Sequence, residues 1–411
     1  MNLCIPKPAR RESSPASRRS SGQPSRLVIA VLLGCVLLEG LTACNLASAG
    51  SSGSGSPPAT TVASATDLGT LPSNVDILGR DEAYSTRFQG HSVWLYGDTA
   101  LQKPDASGRT FLSNTWSYTD DFNASDGISG FQERPDTVGS PSMFIEETPE
   151  ENTFNLEHYG DNCPAHDSLC GYRWAIWPSS ITTDPASDQA YVFYTVQYID
   201  SVGNFKGQGA SVATWQSFAS LPGRPSFNPP FVADHPDLMF GQSEPSYGSA
   251  SLIRNSTLYV YGCGEDTNGL DKGCRVARVN PATILDKSTW TFYAGNGLWS
   301  SSDLNAVPVF DGLDILSVSW NDYLQQYVAV HASVFSNDVM IRTSPNPEGP
   351  WSDESLAFTA MGNADGSNIY DAQAHSEYDS DGGQLIYVTY SRSLESGSEV
   401  RLVAVHLQKS N

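Results

Sequence analysis

Five stretches of this chain repeat one pattern, a turn signal followed by a short strand dense in β-branched and aromatic residues. They are SVWLYGDT from Ser92, AYVFYTVQY from Ala190, TLYVYGCG from Thr257, QYVAVHAS from Gln326 and LIYVTYSR from Leu385. The turns are Gln89-Gly90, Ala186-Ser187-Asp188, Arg254-Asn255-Ser256, Asn321-Asp322 and Gly382-Gly383. A third, alternating strand follows each of them: SNTWSYTDD, GASVATWQS, CRVARVNP, NDVMIRTSP and EVRLVAVHL. No long segment carries the helical period. Because the units recur as units, they predict an all-β fold, a five-bladed β-propeller filling residues 67–411 as one domain. One β-sandwich, or a pair of them, would also supply many short strands and is the rival architecture.

The first residues read differently. Lys7, Arg10, Arg11, Arg18, Arg19 and Arg26 precede an apolar run over residues 27–38, and Leu41-Thr42-Ala43-Cys44 follows. This order is that of a secretory signal, too short for a stable membrane span. Leu-x-Ala-Cys is similar to the bacterial lipobox, in which cleavage leaves a lipid-bearing Cys44 at the new N-terminus. An ordinary signal peptide with a nearby cysteine is the alternative. Asn45 follows, so the acidic residue that commonly retains such lipoproteins at the inner membrane is absent. An exported, lipid-anchored protein of the bacterial cell envelope, at the outer membrane or cell surface, is expected. Residues 44–66, rich in Ser, Gly, Ala, Thr and Pro, then form a flexible tether.

Removing residues 1–43 leaves 17 basic against 43 acidic residues, a formal charge of −26 where the whole chain has −22. The acidity therefore belongs to the folded part. It excludes a nucleic-acid partner, which would need a basic face to displace counterions. A monomer is expected. Four cysteines remain beyond Cys44, in two locally spaced pairs. These predict disulfides between Cys163 and Cys170 and between Cys263 and Cys274, formed in an oxidising compartment. Zinc is the rival, but no C-x-x-C or histidine pair at ligand spacing accompanies them.

Chemistry is expected where the first two strands of a unit meet at one mouth of the channel. Asp81 starts the first strand of unit one and Asp98 ends the second. A two-residue turn at Gln89-Gly90 would set them opposite each other, with Cβ atoms roughly 4.5–5.5 Å apart. Two carboxyls that close repel when both are ionised. One pKa rises and that group can act as a general acid while the other stays charged, as glycoside hydrolysis needs. Turn capping or Ca²⁺ binding would use the same residues.

ILGRDEAYSTRFQGHSVWLYGDT, with SVSWNDYLQQYVAVHA, RTSPNPEGPW and YDAQAHSEYDSDGGQLIYVTYSR, resembles a bacterial family known as a domain of unknown function. That family is similar to five-bladed propeller glycosidases and includes endo-D-arabinanases. The likeness spans essentially the whole domain. It implies that Asp81 and Asp98 match the family's paired catalytic aspartates. The chain departs from it at Glu82-Ala83, where glycine-rich sequence is expected.

Other candidates come from equivalent positions in other units. Glu244 is expected to tune the pair or bind sugar hydroxyls, with turn or salt-bridge duty as an equal alternative, and Asn114 to hydrogen-bond the aspartates. His375 and Glu377 are expected at the opening of the fifth unit, the histidine binding substrate or a central metal, unless it is a satisfied structural histidine. Trp177 and Tyr247 are expected to stack on sugar rings, whereas Trp94 and Trp351 are assigned to the core. Ser344-x-Asn346 with Gly349 and Trp351 faintly resembles the sialidase aspartate-box hairpin. The acidic loops at Asp365-Gly366, 379–381 and 265–271 do not follow the EF-hand pattern. No cofactor is required; Ca²⁺ is the alternative occupant, without named ligands. There is no G-x-S-x-G elbow, H-E-x-x-H helix or phosphate loop. The expected function is hydrolysis of an extracellular polysaccharide, in the manner of an endo-D-arabinanase. A non-catalytic propeller that captures a glycan or a protein is the rival, and a Ca²⁺-stabilised scaffold a third class.

Overall fold

The computed structural model describes residues 60–160, 163–164, 166–265, 272–333 and 335–409. The expected signal over residues 1–43, the lipid-bearing Cys44 and the tether residues up to 59 lie outside them.

Five antiparallel sheets of four or more strands succeed one another along the chain. Sheet I orders Tyr84–Phe88, His91–Tyr96, Thr115–Thr119 and Gln132–Glu133. Sheet II orders Arg173–Asp184, Gln189–Ile199, Phe205–Trp215 and Phe240–Gly241. In sheet III, Ser246–Arg254, Thr257–Glu265 and Lys272–Val279 lead to three short outer strands. Sheet IV orders Leu316–Asn321, Gln326–Ala332, Asp338–Ser344 and Ser355–Thr359. Sheet V orders Gln373–Ala374, Leu385–Ser393, Ser398–Gln408 and, from the start of the domain, Thr61–Thr70. Every aromatic-rich stretch singled out in the sequence is a second strand, and every alternating one a third.

The reason for that composition is packing on both faces. His91–Tyr96 buries every residue after His91, because sheet I has a neighbour on either side. A strand covered on both faces reads as an apolar run rather than an alternation. Tyr84, Val93 and Trp116 pack with Ile176, Val192 and Trp215 between sheets I and II. Similar cores lie between II and III, III and IV, and IV and V. A fifth core sets Trp94 and Tyr96 of sheet I against Tyr387 and Leu402 of sheet V. Each fully buried aliphatic or Phe side chain in these cores contributes about 1.5–3 kcal/mol relative to exposure. The first strands touch in the same order, and the 3-10 turn Ser376–Tyr378 after sheet V's first strand touches the first strand of sheet I. A cavity of about 610 Å³ is lined by the first strands of all five sheets.

The domain begins earlier than expected. Thr61–Thr66 was assigned to the tether, but it pairs with Ser398–Gln408. These residues are too polar to build a core, but an outer edge strand needs only backbone hydrogen bonds, and most of this one is exposed. A chain starting at Asp67 loses five register pairs, from Thr61↔Gln408 to Thr66↔Ala404. At about 0.5–1.5 kcal/mol per hydrogen bond, it should be about 3 kcal/mol less stable than one starting at Thr60. Urea unfolding of the two chains checks this, and equal midpoints would refute it.

Both expected disulfides are present, and the second joins ladder partners of sheet III. The hairpin around Asn346 is structural: Ser344 Oγ donates to the Asn346 carbonyl at 2.7 Å, and Asn346 Nδ2 donates to the Gly349 carbonyl at 3.3 Å.

Candidate active site

The hairpin of sheet I turns at Gln89 and Gly90, both at positive φ, and closes on the pair Phe88↔His91. Its ladder ends at Tyr84↔Leu95. The same register reappears at Arg80↔Thr99 in a small three-stranded sheet, which the sequence analysis did not anticipate. Asp81 and Asp98 therefore lie opposite each other in the gap between two ladders. Glu82 fills that gap at φ 58, a left-handed conformation unusual for a non-glycine residue. The Gly97 N–H donates to the Asp81 carbonyl at 3.0 Å.

The two carboxyls have opposite surroundings. Asp98 accepts both arms of Arg173, Nη2 to Oδ2 at 2.6 Å and Nη1 to Oδ1 at 3.2 Å, and the Trp177 indole N–H at 2.9 Å. A bidentate guanidinium is the strongest partner a carboxylate can have short of a metal, and its fork fixes the orientation of both oxygens. Asp81 accepts only from the Tyr370 hydroxyl on Oδ2, while Oδ1 is buried without a hydrogen bond. Burial, and then the charges of Asp98 and Asp371, push its pKa up to about 8, against the opposing Tyr370 hydrogen bond. Its surroundings thus favour the protonated form of Asp81, which faces a carboxyl paired with arginine.

Two more acids adjoin. Glu82 is buried with Oε2 unpartnered, and burial followed by the Asp81 charge holds its pKa well above the usual carboxylate range. Asp371 accepts from Ser391 Oγ, from the Ser391 N–H at 2.8 Å and from the Glu82 N–H at 3.0 Å. Burial still raises it to about 6. Asp371 therefore anchors the turn that carries Glu82. A Cβ on Gly97 would lie 2.7 Å from Asp81 Oδ1 and 3.0 Å from Glu82 Oε2, so only glycine lets the two unpartnered oxygens converge there. Asp81, Glu82, Asp98, Trp177 and Tyr370 all line one cavity of about 460 Å³.

With the site described, comparison places the chain. The sequence pattern of DUF4185, a domain of unknown function, matches residues 59–395. The chain belongs to the DUF4185 family. A search of curated proteins returns no match. Among solved structures, the chain is similar to a "putative hydrolase" from Bacteroides ovatus, at 14% identity and a TM-score of 0.51, over 81% of this chain and 86% of that one. That likeness is one of fold. An α-L-arabinofuranosidase from Podospora anserina in complex with cellotriose matches at 11% identity and TM-score 0.38, over 84% and 95% of the two chains. A GH43_1 enzyme from Xanthomonas citri complexed with xylotriose matches at 11% and 0.43, over 82% and 89%.

In this DUF4185 chain the other expected site residues separate. Trp177 is in the cavity, bound to Asp98. Asn114 is not: it is fully buried, accepts from the Phe144 and Ile145 N–H groups and donates to the Ile145 and Ile176 carbonyls. It ties sheet I to sheet II rather than serving the aspartates. Tyr247 is wholly buried among Phe240 and Phe292, so it cannot stack on a sugar. His375 is also buried, with Nδ1 on Ser85 Oγ at 2.6 Å, Nε2 on Thr389 Oγ1 at 2.7 Å and the ring over Trp94. Both nitrogens are spent within the protein, which removes it as a substrate or metal ligand, and burial pushes its pKa down to about 3.

Glu377 is hydrogen-bonded by Ser85 and Ser92 and faces the 610 Å³ cavity instead. Glu244 is held by Lys287 Nζ at 2.6 Å and the Gly241 N–H at 2.8 Å, and lines an adjoining cavity. It stands in that neighbouring cavity and not in the one that holds Asp81 and Asp98, and its partner is Lys287, which is the salt-bridge role. Of the acidic loops, Asp365 is engaged by Ser367, and residues 266–271 lie outside the described chain.

Arg173, Tyr370 and Asp371 were missed. Tyr370 and Asp371 begin one of the family-like segments, which was a usable signal. Arg173 carried none, since only folding brings it to Asp98 from 75 positions away.

Proposed function

We propose that this DUF4185 protein is a glycoside hydrolase acting on an extracellular polysaccharide, with Asp81 as general acid and Asp98 as the ionised carboxylate that serves as base or nucleophile. The observation that carries this reading is the facing, in one cavity, of two carboxyls with opposite surroundings: Asp81 buried with an unpartnered oxygen, and Asp98 held by both arms of Arg173. Asp81 has a proton to give to a leaving oxygen at neutral pH, and Asp98 keeps the charge that an oxocarbenium-like transition state requires. The resemblance to endo-D-arabinanases names D-arabinan as the first polymer to test. The fold of this reading is a closed five-bladed propeller, supported by five sheet-to-sheet cores of which the last joins sheet V to sheet I. Its place is the bacterial envelope, exported and lipid-anchored through Cys44, as a monomer at the outer membrane or cell surface. The two disulfides support export.

The test is release of reducing ends from D-arabinan, L-arabinan, xylan and galactan by the full chain. Asp81→Asn and Asp98→Asn should each lower the rate at least ~10²–10⁴-fold on the cleaved polymer while leaving the melting transition cooperative. If a polymer is bound and no ends are released, the protein is a glycan-capturing propeller and the hydrolase reading fails.

A further inference from the structure

A second cavity, of about 810 Å³, adjoins the first, and Trp177, Gln197, Phe205, Ser246 and Asp314 line both. Each is already within the ~300–1,000 Å³ that accommodates a whole small ligand, so together they offer a groove longer than one sugar ring needs. Its divide is aromatic. Phe205 opens the third strand of sheet II and is 66% exposed. Its ring meets Trp177 edge to face, with centroids 5.4 Å apart. Trp177 cannot swing away while its indole nitrogen is bonded to Asp98.

A phenyl ring left two-thirds in water at the junction of two cavities forgoes the stabilisation of burial, and the C–H face of a sugar would restore it. The walls beyond it supply amides and hydroxyls from Gln242, Ser243 and Ser246, with Leu304 at the rim 90% exposed. Glu244, Asp303, Asp314 and Arg275 also line this part, and Glu244 is paired with Lys287.

We infer that the second cavity is a subsite for further units of a polysaccharide, so that one chain passes from the Asp81–Asp98 pair across Phe205 toward Glu244. This rests on the hydrolase reading for what happens at the pair, but the binding it describes does not need cleavage.

The experiment uses the full chain carrying Asp81→Asn, with D-arabinan, L-arabinan and xylan as probes in affinity electrophoresis. Adding Phe205→Ala should weaken binding of the retained polymer about 3- to 10-fold. Phe205→Trp should keep it, and Phe335→Ala, at an exposed aromatic outside the groove, should change nothing. Melting temperature confirms that each variant is folded. Equal affinity with and without Phe205 overturns the inference while the hydrolase reading stands. Phe205-dependent binding in a protein whose native form cleaves nothing supports the subsite and overturns the hydrolase reading. Absence of binding to every probe overturns the inference.

Discussion

At pH 8, Asp81→Asn should unfold at a higher temperature than the native chain, and the gap should close as pH falls toward 4. The unfolded chain ionises Asp81 near 3.8, whereas burial and the neighbouring charges raise that value to about 8 in the fold. Between those values the folded protein holds a proton that the unfolded chain has released. Stability contributed by this group is therefore complete below pH 4 and is lost as pH rises toward 8. The slope is about 1.4 kcal/mol per pH unit, so the native protein forfeits roughly several kcal/mol across the window. Asparagine has no proton to hold and escapes the loss. Urea midpoints of both proteins at pH 4, 6 and 8 decide it, and a gap that does not vary with pH would refute a raised Asp81. The same proton predicts an alkaline limb near pH 8 in the rate of polymer cleavage, because the general acid is consumed there. A residue that weakens the fold at working pH and yet stands in the cavity is what a trade of stability for activity produces.

Arg173→Met should cost about 3 kcal/mol. The guanidinium is the counter-charge of Asp98, and its side chain is only 9% exposed. Removing one partner of a buried pair leaves a charge without compensation, typically at about 3–5 kcal/mol. The lower figure applies because Asp98 keeps 23% of its side-chain surface in solvent. Asp81 and Glu82, whose charges act with that of Asp98, are themselves acids and cannot take over, and the Trp177 indole offers no countercharge. Asp98→Asn in the same chain removes the uncompensated charge, and the double variant should recover most of the loss. If it recovers none, Arg173 acts instead through the rings it covers, Phe111 at 4.9 Å and Tyr159 at 5.4 Å. Cleavage should fall with the single variant as well, since Asp98 loses the partner that orients it.

The strands were legible because each unit obeys a local rule. A turn of glycine or left-handed residues, followed by a run apolar on both faces, names a central strand without reference to anything else. The disulfides were legible for the same reason: each closes a short loop. The site was legible only as far as hairpin register carries. Gln89-Gly90 set Asp81 opposite Asp98, and the structure keeps that opposition, although it achieves it across a gap between two ladders rather than within one. Asn114, Tyr247 and His375 show where the inference stopped. Each begins or adjoins a strand near the expected mouth, but whether its side chain meets solvent or a neighbouring sheet depends on a contact from another unit. For Asn114 that contact is the backbone of Ile145 and Ile176, for Tyr247 it is Phe240 and Phe292, and for His375 it is Ser85, Thr389 and Trp94.

Thr61–Thr66, the part of this strand read as tether, is the clearest case of a local rule misleading. Its composition is that of a linker, with Val62 its one contribution to a core. It becomes a strand because the last strand of the chain offers an unpaired edge some 340 residues away.

By itself, then, the sequence determined the five repeated units, the two disulfide pairs and the facing of Asp81 and Asp98, all set by periodicity and turns over spans short enough for the chain to specify alone. The different surroundings of Asp81 and Asp98, on which the proposed division of roles rests, came from the folded arrangement. They depend on burial and on a guanidinium, an indole and a phenol delivered from other sheets, and protonation follows the whole electrostatic environment rather than the residue type.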